Sequence, residues 1–203
     1  MGNSALVLAG TGPEDLAWFA DEGTAHPTEA NPFAALTGYE TPGFCVESGA
    51  VTSYASETQG IPAYGTNQDV RTLLIRETTT VAIGFRETNR ISQAVYRRMP
   101  ISGPDAPSIG SDGILAVTDG PMRDPVYVFI TDAVDGANHV RKIYPRVRVT
   151  GRDPESVAKA ANLAYSLTLT AEPDEDGVAV YTFFLLDALK TDSSSSSSSS
   201  SSS

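Results

Sequence analysis

The sequence predicts a mainly β protein, a β-sandwich of two packed antiparallel sheets with one or two short flanking helices. Three observations predict it. Most apolar residues recur with period two, as half-buried strands require. Two pairs of such runs are joined by short turns rich in Asp and Gly. Helical spacing is confined to stretches of two or three turns.

The elements follow in chain order. Residues 13–21, PEDLAWFAD, form a short helix candidate. Residues 44–57 alternate, with Phe44, Val46, Ala50 and Tyr54 on one parity. Residues 71–89, RTLLIRETTTVAIGFRETN, read as one long strand or two. One parity carries Leu73, Ile75, Val81, Ile83 and Phe85, assigned to the core. The other carries Thr72, Arg76, Thr78, Thr80, Ala82, Gly84 and Arg86. Glu77 falls on the apolar parity, which predicts a bulge or break near 77–79. A helix is expected over 89–99, with Ile91, Ala94, Val95 and Arg98 on one face and Pro100 ending it. The Pro-, Gly- and Asp-rich segments 102–113 and 119–124 are exposed loops.

Residues 125–134 and 139–149 flank Asp135-Gly136 and form a hairpin. Asp153 as N-cap, Pro154 at the first helical position and Glu155 behind it predict a helix over 153–162. A second hairpin is expected from the alternating run 162–172, the turn PDEDG at 173–177 and the return run 178–186.

Composition bounds the function. The chain has 203 residues, 14 basic and 25 acidic, for a net charge of −11. That sign disfavours a grip on nucleic-acid phosphates; it fits ordinary solubility as well as a surface to which DNA must not adhere. A single cysteine, Cys45, allows no intramolecular disulfide and sits between Phe44 and Val46 as a small apolar residue. The N-terminal stretch lacks the cationic segment of a secretory leader, and no apolar run reaches membrane-spanning length. The eleven serines at 193–203 bury nothing and are set apart as a tail, leaving 1–192 as one domain.

Catalytic groupings are hard to assemble. His26 and His139 are far apart in sequence, and with Cys45 they lack the paired spacing of a metal site. Ser, His and Asp are all present, but no G-x-S-x-G frames a nucleophile. The G-x-G near residue 10 is followed by Pro13 rather than a third glycine. PDEDG lacks the distal ligand of a calcium loop. No cofactor is expected. A binding module or an assembling structural protein remains. Trp18, Tyr39, Tyr54 and Tyr64 are the aromatics a carbohydrate- or receptor-binding sandwich would use.

One ordered set of features decides between these. Gly38 and Tyr39 open it, followed by the acidic-Gly segment 47–51 and the apolar-aromatic segment 61–64. Val70 and Arg71 then lead into the long strand, and Glu-Thr-Asn at 87–89 closes it. Residues 165–184, with their A-x-P-D turn, complete the set. In order and spacing the chain resembles the major tail tube proteins of long-tailed, siphovirus-type bacteriophages. The resemblance implies no enzymatic activity. It implies a homo-hexameric ring, stacked into a tube in the virion tail after assembly in the host cytoplasm. The inner sheets of the six copies would complete one β-barrel, through which DNA passes without specific binding. It also implies a tape measure protein and a tail terminator as partners, and no membrane. On that reading Thr72, Arg76, Thr78, Thr80, Ala82 and Gly84 face the lumen. Arg76 and Arg86 would pair with Glu47 or Glu57 of a neighbouring subunit.

Overall fold

A computed structural model describes residues 16–62, 64, 69–118, 120–121, 123–155 and 163–190. Its strands are β1 (Ala17–Asp21), β2 (Val51–Pro62), β3 (Asp69–Phe85), β4 (Ser108–Ile109), β5 (Leu115–Ala116), β6 (Tyr127–Asp135), β7 (Asn138–Arg152), β8 (Tyr165–Glu172) and β9 (Tyr181–Leu185). One helix, α1 (Arg90–Tyr96), follows β3. The mainly β, antiparallel expectation holds. The two layers are parts of one seven-stranded sheet, ordered β1-β6-β7-β8-β3-β2, with β9 also on β7. β4 and β5 form a separate two-stranded ribbon.

The sheet curls on itself because β7 is long enough to serve both layers. Its first half pairs with β6, and its second half pairs with β8 from Arg146 to Arg152, across a register shift between Val149 and Gly151. Another shift lies opposite 127–129, beside Pro145, which has no N–H for the ladder. Curling brings Phe19 of β1 within 5.9 Å of Phe85 of β3, ring to ring, although β6, β7 and β8 separate their strands in the sheet. Tyr144 of β7 reaches Thr52 of β2 by a 2.7 Å hydroxyl hydrogen bond.

The main core fills this curl. Phe19, Val81, Ile83, Phe85, Tyr127, Phe129 and Leu169 pack there with Ile91 and Val95 of α1. A second cluster lies behind the β1-β6-β7 layer, where Leu36 and Tyr39 of an irregular segment cover Val128, Ile130 and Ile143. β6 is therefore buried on both faces, which accounts for its unbroken apolar run.

The hairpin at Asp135-Gly136 forms as expected. Asp135 pairs with Asn138, and Gly136 takes φ +60 at the first central position of the two-residue turn. α1 lies within the predicted 89–99 span, with Asn89 capped reciprocally by Ser92.

Three expectations are corrected. The end of the 13–21 helix candidate is strand β1, because Trp18 and Phe19 serve opposite clusters, which a two-residue period allows. The PDEDG turn does not reverse the chain. β8 and β9 both pair antiparallel with β7 and follow one another along it, so 173–180 is an excursion between collinear strands. The second strand runs to Pro62 rather than ending at 57, because β3 continues beside it. Most of the helix predicted over 153–162, namely 156–162, lies outside the described residues, as does the serine tail.

Candidate assembly surfaces

The long hairpin of β2 and β3 divides into two parts. Val81, Ile83 and Phe85 are buried, as their parity predicts. β8 supports this part, pairing with β3 from Thr79 to Phe85. Beyond Thr79 β2 alone among the described strands accompanies β3, and every side chain from 69 to 77 is exposed. Leu73 and Ile75, assigned to the core from sequence, are 37% and 56% exposed. Among the described residues no layer lies beneath them. The expected bulge occurs at Ile75, which has no partner between the Glu57–Arg76 and Thr58–Leu74 pairs, slightly before the predicted position. The result is a two-stranded arm bearing Ile61, Val70, Leu74 and Ile75 as exposed apolar side chains.

The second surface is the outer face of the supported part. In antiparallel strands, register partners share a face. Thr80 pairs with Ser53 and Thr170, and Ala82 with Val51 and Thr168. Thr170 continues to β7, where its hydroxyl lies 2.8 Å from that of Thr150. A hydroxyl-rich face therefore crosses β2, β3, β8 and β7. Arg148, the register partner of Thr170, lies on it too, held 2.7 Å from Glu172 Oε1 and 2.7 Å from Asp124 Oδ2. Its charge is held firmly: burial acts against the guanidinium, but these two carboxylates more than compensate and raise its pKa.

The sequence-derived site residues separate accordingly. Thr78, Thr80 and Ala82 lie on this face, Thr78 opposite Ala55 of β2. Thr72 and Arg76 belong to the exposed arm. Gly84 shares the face of its register partner Ser166 but is covered there by Val46, whose N donates to its carbonyl; an added Cβ would lie 3.0 Å from both Val46 and Ser166. Ser166, Thr168, Thr170 and Thr150 were missed, because their place beside β3 depends on pairing rather than on local pattern. Arg76 and Glu57 are cross-strand partners within one chain. Arg86 and Glu47 are exposed.

The aromatics considered for a glycan site are not gathered. Tyr39 is buried and Trp18 packs against the same cluster, whereas Tyr54 is exposed opposite Thr79 and Tyr64 is exposed at the far end of the hairpin. His26 stacks near Tyr181 and His139 on Phe33, in separate places.

Among the described residues the sheet also has open edges. β2 ends the strand order, and β6 offers β7 no partner beyond Val147. One hydroxyl-rich face is thus flanked by two strand edges that accept pairing. A family model described as phage tail tube protein matches residues 1–195. The chain belongs to the phage tail tube protein family. Among curated proteins none matches it. Membership gives this tail tube protein a structural role, assembly into a multi-subunit tube, and a place in the virion tail. Among its described residues no helix is long and apolar enough to cross a membrane.

The turn between β8 and β9 is built around Asp174. Its carboxylate accepts from Val178 N at 2.9 Å, Asp176 N at 3.0 Å and the Tyr181 hydroxyl at 2.7 Å. Burial alone would raise its pKa, but these donors outweigh it and hold the group below the usual carboxylate value. A lowered folded pKa means that the stabilisation is complete above the unfolded value, about pH 4, and is lost as pH falls through the folded one. The Val178 amide resonance is therefore expected to titrate with a midpoint below about pH 4. A midpoint above that would contradict the assignment. Tyr181, donating to the carboxylate, has its own pKa pushed up to about 12.

Proposed function

We propose that six copies of this tail tube protein close into a ring, that rings stack into the tube of a long, siphovirus-type tail, and that the tube conducts DNA during ejection. One observation carries the proposal. The hydroxyl-rich face on β2, β3, β8 and β7 lies between two open strand edges, so head-to-tail pairing of copies would continue it around a bore. Thr78, Thr80, Ala82, Ser166, Thr168 and Thr170 would line that bore with small side chains. They carry no fixed positive charge, and the one arginine beside them, Arg148, is already paired with Glu172 and Asp124, so sliding DNA meets few phosphate anchors. The chain's charge of −11 acts in the same direction. Arg76 and Arg86 would stand at subunit boundaries, paired with Glu47 or Glu57 of a neighbour. During assembly in the host cytoplasm, a tape measure protein would occupy the bore and a terminator would close the tube. The subunit itself performs no chemistry.

Electron microscopy of the concentrated protein tests this. Sixfold rings or hollow tubes are expected, with Thr80 and Thr168 at the bore in a reconstruction. A monomer at every concentration, or a map with those threonines on the outside, would overturn it.

A further inference from the structure

Beyond the C-terminus of α1 lies an open cleft of about 460 Å³, lined by Arg97, Arg98, Arg123 and Arg152. Four arginines at one place are a marked concentration in a chain with 14 basic residues and a net charge of −11. Two have carboxylates at the margin, Arg97 with Glu155 at 3.2 Å and Arg123 with Asp105 at 3.4 Å. Arg152 donates to the Tyr96 carbonyl at 3.2 Å and lies over the Tyr96 ring. The Nε of Arg98 is buried without a hydrogen-bond partner among the described residues.

The backbone at Arg98 is a second, independent observation. α1 ends with Arg98 N donating to Val95 O at 3.1 Å and Met99 N to Ala94 O at 2.8 Å. This paired closure places its C′ residue in the left-handed region, where glycine is favoured. Arg98 occupies it at φ +56, alone among the described non-glycine residues in having a positive φ. The fold thus holds a guanidinium in the cleft through a backbone conformation that the helix end would satisfy better without a side chain.

We propose that this cleft receives carboxylates of a second copy of the chain, those of Glu175 and Asp176 in the turn between β8 and β9. The proposal rests on the tube reading, which supplies neighbouring copies. Asp174 spends its oxygens fastening that turn, leaving Glu175 and Asp176 exposed on a fixed support. Their own cleft is out of reach. The β7–β8 ladder runs from Glu172 opposite Arg146 to Leu167 opposite Arg152, roughly 20 Å of strand. The contact therefore forms between copies, head to tail, as a ring or a stack requires. Duplex DNA fits the cleft less well, because Glu155 and Asp105 border it and the chain as a whole repels phosphate.

The test compares wild-type protein with R152E, R98G, E175R/D176R and the combination of R152E with E175R/D176R. R152E and E175R/D176R are each expected to raise the concentration needed for tubes by about tenfold, a loss of roughly 1.4 kcal/mol. The combined variant is expected to recover most of that loss. R98G is expected to melt no lower than wild type yet assemble less well, a split that a purely structural arginine would not give. Tubes of R152E forming at the wild-type concentration would overturn the proposal, as would a combined variant no better than its parents. Binding of short duplex DNA that R152E abolishes without altering assembly would make the cleft a nucleic-acid site instead. Should wild type form no tubes, the tube reading fails. The cleft is then read separately by trans disulfide formation between R123C and D176C chains on a C45S background. Its absence at high concentration overturns the contact.

Discussion

Arg141→Ala is expected to destabilise the fold by about 3–5 kcal/mol, the range for breaking a buried ion pair on one side. Arg141 and Asp132 are 5% and 7% exposed. They form a two-pronged pair, Nε to Oδ1 and Nη2 to Oδ2, each 2.7 Å. The remaining guanidinium nitrogen donates to the carbonyls of Pro32 at 3.2 Å and Ala34 at 2.8 Å. Phe33 lies over the guanidinium, and the ring of His139 lies 4.5 Å from that of Phe33. One side chain on β7 thus ties a strand pair to the irregular segment covering the second core cluster.

Removing it leaves the Asp132 carboxylate buried, with His139 Nε2 3.2 Å away but not aligned as a hydrogen bond. Two loop carbonyls lose their donor as well. In a domain of this size the loss corresponds to roughly 10 °C in Tm. Arg141→Met with Asp132→Leu should recover much of it, because the uncompensated charge disappears with its partner. Urea denaturation of the three variants checks both parts. A double variant as unstable as Arg141→Ala would show that the segment's anchoring, not the orphaned charge, sets the cost.

Such a pair is not legible in sequence, since Asp132 and Arg141 meet only once the hairpin register is known. What was legible was locally determined. Asp135-Gly136 specifies its own turn, and the alternation of Val81, Ile83 and Phe85 specifies a buried face. The failures share one cause. Leu16, Phe19 and Ala20 fit a helical spacing as well as a strand, and only pairing with β6 decides between them. Gly177, at φ +79, marks a turn but not the direction in which the chain leaves it. Leu73 and Ile75 have the parity of core residues, and parity does not state whose core they enter. For the candidate bore, Thr78, Thr80 and Ala82 could be grouped by alternation within one strand. Adding Ser166, Thr168 and Thr170 required knowing that β8 lies beside β3.

That ambiguity over Leu73 and Ile75 yields the other large effect, on assembly rather than on the subunit's stability. A two-stranded ribbon with no third strand beneath it is marginal in water. The arm beyond Thr79 is such a ribbon, and Val70, Leu74 and Ile75 on it are 63%, 61% and 56% exposed. Apolar side chains concentrated on an arm that the described residues leave uncovered mark a surface to be covered by another molecule. In a protein that assembles into a tube, that molecule is a second subunit. Burial of each large side chain there would contribute about 1.5–3 kcal/mol before the costs of ordering the contact.

Ala55 and Thr78 are register partners, so residues 56–77 can be replaced by Asn-Gly to close a shortened hairpin. The shortened subunit should keep its Tm within a few degrees, because the deleted strands contribute nothing to either core cluster. Tube formation should be lost, even at a hundredfold higher concentration. Leu74→Asp and Ile75→Asp should weaken assembly in the same sense while leaving the backbone intact. Tubes of normal length from the shortened chain would sink this role for the arm. A large drop in Tm would instead mean that the arm folds back on its own subunit.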